Sequence, residues 1–377
     1  MIATGASRCA PHETRGTPLT MAGRPLGSGS KIGQLVCYVT RTYRVLPTRF
    51  GVYLAVQRRR VDTVRAPIER YRLPSQDTVA RDAAETTHAT TNVMLLGIVL
   101  AISLAQFFLV PLILPASAWM AVALICLCAL TTPLHWGLMH ESIHGNLFSD
   151  PSANRRAGRA LGSLLCLSWD VMRFGHLLHH SNNRHEFDRP EAVPPGGSRA
   201  RSAVPYFLKL LGGHALISAV SSIGLALPSG VVARLVPNVE PMHGAALRAF
   251  TKPERQRRIR GDLCVTILVL AISGYCWGAH WPILAAAIAA RFAILSLLDN
   301  APHYGTAIGS GTYARNTNLP HWAHWFVMGH NFHGIHHGAT GLRWQELRPA
   351  FARARAGYDG SWSAMVLRQF RGPLVLE

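Results

Sequence analysis

The chain has 377 residues, 49% of them hydrophobic and 15% charged, with 38 Lys and Arg against 19 Asp and Glu and a formal net charge of +19. That composition argues against the two or three soluble domains its length alone would suggest, because several apolar runs reach the about 20 residues a bilayer-spanning helix needs. The basic excess would suit nucleic-acid binding, but no recognisable fold or aromatic-interleaved groove of that kind accompanies it.

The opening "MIATGASRCAPHETRGTPLTMAGRPLGSGS" has no apolar core of a secretory leader, and its Gly, Ser, Thr and Pro content predicts disorder over 1–35. A basic cytoplasmic segment follows over 36–92; residues 31–92 hold eleven Lys or Arg, including the run Arg58–Arg60. Val93–Leu114 reads as a first span and Ala118–Met139 as a second, joined by a tight turn at Pro115. Leu263–Ala279 and Trp281–Leu298 form a second pair, turning near "GAHWP". The turns between paired spans carry no Lys or Arg, whereas 233–261 is basic again (Arg234, Arg248, Lys252, Arg255, Arg257, Arg258, Arg260). Positive residues stay cytoplasmic, so both termini and the central loops are expected on that side.

Tyr206–Pro228 is also apolar. If it crossed the bilayer, the histidine-rich regions 140–200 and 299–377 would end on opposite faces, and Gly212, Gly213 and His214 interrupt it. A re-entrant or interfacial segment is therefore expected. The seven cysteines are scattered, without a CxxC pair, and four (Cys126, Cys128, Cys264, Cys276) fall in apolar runs, as small fillers in a reducing compartment would. The expected fold is an all-α integral membrane protein: four transmembrane helices in two hairpins, a membrane domain over 93–350, and a cytoplasmic helical cap ending in a tail at 351–377.

Histidine carries the chemistry. "HESIH" supplies His140 and His144, "HLLHH" supplies His176, His179 and His180, and "HGIHH" supplies His333, His336 and His337, with His330 just before. Positions i, i+3 and i+4 share a helical face. A shuffled chain of this histidine content holds about 0.05 copies of HxxHH; this one holds two. Neutral imidazole binds Fe, Zn and Cu, and eight box histidines exceed the four ligands of one tetrahedral site, so they suit two metal ions. His303 in "LDNAPHYG" is a ninth candidate, with Asp299 and Asn300 able to share its face as weak ligand or outer acceptor. In "SNNRHEFDRPE", His185 is an extra histidine, and Glu186, Asp188 and Glu191 could orient ligand rings. Arg291 lies inside the last apolar run, where it could pair with Asp299, meet a polar substrate group or snorkel. His12, His88, His214, His243, His280, His321 and His324 read as structural.

The order HxxxH, HxxHH, HxxHH, with paired spans between the last two boxes, resembles the membrane fatty acid desaturase superfamily over roughly residues 90–350. "HESIHGNLFSDPSANRRAGRALG", "LDNAPHYG" and "NFHGIHH" carry the likeness. The resemblance implies two Fe ions held by His140, His144, His176, His179, His180, His303, His333, His336 and His337. It also implies O2 as co-substrate and an acyl substrate carried on lipid, coenzyme A or acyl carrier protein. With no HPGG haem motif, electrons would come from an external ferredoxin or cytochrome b5-type donor with its reductase. Two departures bear on substrate choice. After the third box the chain reads "HHGATGLRWQELRP", keeping Trp344 and Leu347 but not the common Pro-containing segment, and Asp299 stands where some acyl-CoA relatives carry Asn.

The same metal chemistry can insert oxygen instead, as in diiron hydroxylases and ketolases. "HESIH" also matches the HExxH zinc-protease pattern, with Glu141 as the water activator, but that leaves both HxxHH boxes unused. A metal transporter or haem-binding span would place ligands near the bilayer midplane, not at the ends of spans.

Overall fold

The computed structural model describes residues 43–46, 53–56, 78–185, 188–194, 196–235, 249–308 and 314–375. They belong to two compact units, Met1–Val64 and Arg65–Glu377. In the first, strands β1 (Tyr43–Leu46) and β2 (Tyr53–Val56) pair antiparallel, Tyr43 opposite Val56 and Leu46 opposite Tyr53. This hairpin lies in the basic N-terminal segment, outside the membrane domain for which helices were expected. Its aromatic and β-branched residues favour a pleated surface, a signal lost when the segment is weighed only for its charge.

The second unit is helical, and its described β pairing is confined to isolated bridges such as Asn316 with Phe332. Among the described residues, four stretches are long and apolar enough to cross a membrane: His88–Ile113, Ala118–His144, Arg199–Ala226 and Pro253–Asn300. The first is α1 (Thr78–Leu104), which passes through a π turn at Ala105–Leu109 into α2 (Val110–Ile113). The second joins α3 (Ala118–Leu130) to α4 (Thr132–His144), so it runs to His144 rather than stopping at Met139. It thereby carries the first two site histidines inside its own regular geometry. Next come α5 (Pro151–Leu164), capped by the Asp150 carboxylate, and α6 (Trp169–Asn182).

Between α7 (Arg199–Leu208) and α8 (His214–Ala226) lies a π turn at Lys209–Gly213. Gly212 takes φ 111° there, a backbone conformation that favours glycine. A Cβ on Gly212 would also lie 3.3 Å from the Ala293 backbone nitrogen. After α9 (Ser229–Leu235), α10 (Pro253–Trp277) stops where Gly278 turns to φ 48°, and α11 (Trp281–Asn300) follows.

Packing orders these helices. Phe107, Val110, Ala121, Trp277 and Leu284 form one buried cluster, bringing together the end of α10, the start of α11 and the α2–α3 turn. Ser273 Oγ and Trp277 Nε1 donate to the Phe107 carbonyl at 3.0 and 3.2 Å, satisfying an acceptor that sits in the π turn. Outward faces carry Leu112, Val122, Leu130, Val265 and Leu268, all exposed. Trp119, Tyr275 and Trp281 are exposed near that cluster, and Trp322 and Trp325 on the segment leading to the third histidine box, a distribution typical of interfacial anchors. The chain ends in short helices α12 (His333–Gly338), α13 (Trp344–Arg353) and α14 (Trp362–Arg368).

Segment α8 touches the α10–α11 pair at both of its ends. Its start sits beside the last turn of α11, where His214 Nε2 is 3.3 Å from Asp299 Oδ2. Its end sits beside the first turns of α10, where Gln256 Nε2 donates to the Leu227 carbonyl and Arg260 Nε to that of Ala226, both at 2.8 Å.

Candidate metal centre

Four scaffolds hold the histidines: α4, α6 with His176, His179 and His180, α12, and the turn after α11. The helix α4 ends at Gly145, φ 82°, so His140 and His144 stand one turn apart on its last rungs. Just beyond, Asn146 Nδ2 donates to the carbonyls of Thr340 and Leu342 at 2.9 and 3.0 Å, tying the first box to the chain behind the third. Trp344 strengthens that tie: its N–H donates to Glu141 Oε2 at 3.0 Å and its indole to Asn92 Oδ1 at 2.9 Å. The short α12 is held from the side, because Ile335 N–H donates to Asn316 Oδ1 at 3.1 Å and Thr317 N–H to the Asn331 carbonyl at 2.7 Å. His303 lies in the turn after α11. That turn is pinned by a buried ion pair, Arg184 Nη1 to Glu191 Oε1 at 2.8 Å, from which Glu191 accepts Gly305 N–H and Arg184 donates to the Thr306 carbonyl.

The imidazoles converge in two main groups. His140, His144, His176, His180 and His336 form one; His179, His303, His333 and His337 form the other; His330 adjoins both through His140 and His333. Each HxxHH box is divided between them. From α6, the i and i+4 rings (His176, His180) enter the first group and the i+3 ring (His179) the second; from α12 the assignment is reversed, His333 and His337 to the second and His336 to the first. The spacing left open which rings group together; each box divides because three and four residues along a helix subtend different angles.

Within the first group, Nε2 atoms lie 3.0 Å apart for His144 and His176 and for His176 and His180, and 3.2 Å apart for His336 and His144. Within the second, His303 Nε2 is 3.1 Å from both His179 and His333, and His337 is 3.2 Å from His333. Two nitrogens bound at roughly 2.1 Å to one ion, at right angles, are about 3.0 Å apart. The observed spacings are compatible with nitrogens placed around a metal ion. Protonation agrees. His179 Nδ1–H donates to Asp188 Oδ2 at 2.7 Å, which turns Nε2 toward His303. Nε2 of His140 and Nδ1 of His333 and His336 are buried without a hydrogen-bond partner. Burial first, then the neighbouring imidazoles, holds His176, His333, His336 and His337 well below the usual imidazole value. Burial draws His330 down to about 4, against the upward pull of Asp299. These rings are neutral at pH 7, the form that binds metal.

The other sequence candidates are dispersed. Arg291 does not pair with Asp299: its Nη2 donates to His135 Nδ1 at 2.7 Å and its Nη1 to the Leu164 carbonyl, because α11 turns it inward toward α4 and α5. Asp299 faces His214 instead. Asn300 donates to Gln369 Oε1 at 2.7 Å, anchoring the C-terminal segment. His185 is exposed and belongs to neither group, Glu191 is committed to Arg184, and Glu186, like His12 and His243, lies outside the described residues. The Glu141 carboxylate is buried against Trp344 N–H, not turned to an open position where it could activate water. His135 was missed by the sequence reading. Its Nε2–H donates to the Leu161 carbonyl at 2.9 Å, and the signal for it was an ionisable side chain inside an apolar run that also faces a buried arginine.

Beside the histidines lies a cavity of about 550 Å³ between α6, α8 and α11. His176, His179 and His303 form part of its wall, with Trp136 next to them; Met172, Leu178, Leu210 and Ile217 make much of the rest apolar.

A family model described as fatty acid desaturase matches residues 117–368, which include all three histidine boxes and His303. A search of curated proteins returns no match.

Proposed function

The chain belongs to the fatty acid desaturase family, and on that premise we propose that it is a membrane diiron oxidoreductase that introduces a double bond into an acyl chain. The observation that carries this reading is the pair of imidazole groups, with spacings compatible with nitrogens around a metal ion, set in the wall of an apolar cavity. His140, His144, His176, His180 and His336 would hold one iron, and His179, His303, His333 and His337 the other, with His330 between them. Once bound, the irons would supply reduction of O2 to two waters, consuming two external electrons, two protons and the two hydrogens lost from adjacent methylenes.

The chain's own residues supply the setting. Asp188 holds the His179 tautomer and ring orientation. The cavity walls exclude water from the alkyl chain, which gives up about 0.8 kcal/mol per methylene if left exposed. An external ferredoxin or cytochrome b5-type donor would meet the basic surface around Arg257, Arg258 and Arg260. The two ends of α8 support a segment lying along one face of the membrane, since both touch the histidine-side ends of α10 and α11. That placement and the distribution of Lys and Arg favour cytoplasmic termini.

The test is expression in a host whose lipids are profiled, together with iron analysis of the purified protein. Two irons per chain and new unsaturated chains are expected; hydroxylated or keto products would transfer the protein to the oxygen-inserting branch, and iron-free active protein would end the proposal.

A further inference from the structure

Three of the four rings in the second group are served by one stretch of chain just after the second box. Asp188 takes His179, and the Arg184–Glu191 pair holds the turn that carries His303. The third contact is Asn183, whose Nδ2 lies 3.4 Å from His337 Nδ1, with both side chains buried. Backbone geometry explains how one short stretch reaches all three. α6 ends at Asn182, Asn183 leaves it with φ −50° and ψ 130°, and Arg184 takes φ 67°, a left-handed conformation uncommon outside glycine. His185 N–H then donates to the Asn182 carbonyl and Asp188 N–H to that of His185, both at 2.9 Å. The chain thus reverses tightly enough to return Asp188 to His179 while Asn183 stays against His337. Strain of this kind persists where the surroundings over-determine it, and Arg184 is held by Glu191 and the Thr306 carbonyl.

His337 offers two different nitrogens. Nε2 lies 3.2 Å from His333 Nε2, inside the group, and Nδ1 faces Asn183. A ring that gives its Nε2 lone pair to a cation carries its proton on Nδ1, and a buried N–H needs an acceptor. A carboxamide can supply one, because its oxygen and nitrogen are nearly interchangeable in shape and the surrounding hydrogen bonds decide which faces a neighbour. Resting on the reading of the imidazole groups as iron sites, we propose that Asn183 is a positioning residue of the second centre: its amide oxygen accepts from His337 Nδ1–H, as the Asp188 carboxylate accepts from His179. The tautomer and ring orientation of His337 follow from that bond. A neutral amide does this without adding a second carboxylate to the surroundings of the group.

Iron retention by the purified full-length protein, followed by chelator titration, reads this role without turnover. Asn183→Leu keeps the volume and removes the acceptor, whereas Asn183→Asp restores one. Each is also combined with His336→Ala, which takes a ring from the first group only, so that the iron left behind reports the second. Asn183→Leu should weaken retention of that iron about 10- to 100-fold, and Asn183→Asp should hold it at least as tightly as the parent protein. A side chain that merely fills space would not produce this contrast between Leu and Asp. Unchanged retention in Asn183→Leu, or an Asp variant as weak as the Leu variant, overturns the positioning role. Mössbauer spectra of the iron-57 protein give a second measurement: Asn183→Asp alone should alter the doublet of one iron and leave the other as it was. Two altered doublets, or none, refute the assignment to the second centre. A parent protein that binds no iron would instead remove the metal reading on which the proposal rests.

Discussion

The two histidine groups draw on the same boxes yet sit in different surroundings. The first takes rings from α4, α6 and α12, all regular helices, and is walled by Trp136, which lies 5.9 Å from His176 and 6.1 Å from His140. The second depends on His303 in a turn, pinned by the Arg184–Glu191 pair, and has a carboxylate, Asp188, hydrogen-bonded directly to one of its rings. Glu141, the nearest acid to the first group, is 3.6 Å from His140 Nδ1 and already accepts from Trp344. Two centres built from the same residue type can therefore differ in how firmly their ligands are oriented, and that difference is open to experiment.

The largest effect should come from removing a ring that one group cannot replace. His336→Ala, or His180→Ala, takes a member from the first group alone. Product formation should fall by more than the roughly 100-fold that loss of an outer-shell partner costs, with membrane insertion unchanged and iron dropping toward one per chain; a fully active variant would remove that ring from the centre. Asp188→Asn comes next and strikes only the second group. Retention of one iron equivalent, measured by chelator titration, should weaken about 10- to 100-fold, and equal loss from both sites would erase the contrast drawn here.

Acid should act on the metal-free protein through rings of both groups. Burial depresses the pKa values of His176, His333, His336 and His337, and holds His330 at about 4 against the ordinary 6.5. Below 6.5 the unfolded chain therefore binds more protons than the folded one. Stability is complete above about pH 6.5 and is lost as pH falls toward 4. Thermal midpoints of iron-stripped protein at pH 7.5 and 5 check this; no difference would mean the rings are not buried and neutral. The smallest effect is expected for Glu141→Gln, because the amide oxygen can still accept from Trp344 N–H. Activity should stay within about threefold and stability within about 1 kcal/mol. A collapse of activity with stability intact would return attention to the hydrolytic reading of "HESIH".

Much of this was legible in one dimension. Hydropathy located the apolar helices, because a bilayer demands length and apolarity whatever the fold. The spacing of His140, His144, His176, His179, His180, His333, His336 and His337 announced that these rings would gather into clusters that could hold metal. His303 came from its place at the exit of the last span, and Asp188 from its place shortly after a box. The β1–β2 hairpin, by contrast, was hidden by the charge of its surroundings.

What the sequence by itself determined was therefore the inventory: which side chains are present, and which lie on shared turns of a helix. Only the tertiary structure decided how each HxxHH box is divided between two groups, that Arg291 belongs to His135 and Asp299 to His214, and that a largely apolar cavity lies beside the histidines. The reason is physical. Spacing along a helix fixes the angle between neighbouring side chains, but the partner each one meets depends on which other segment the packing brings to that side.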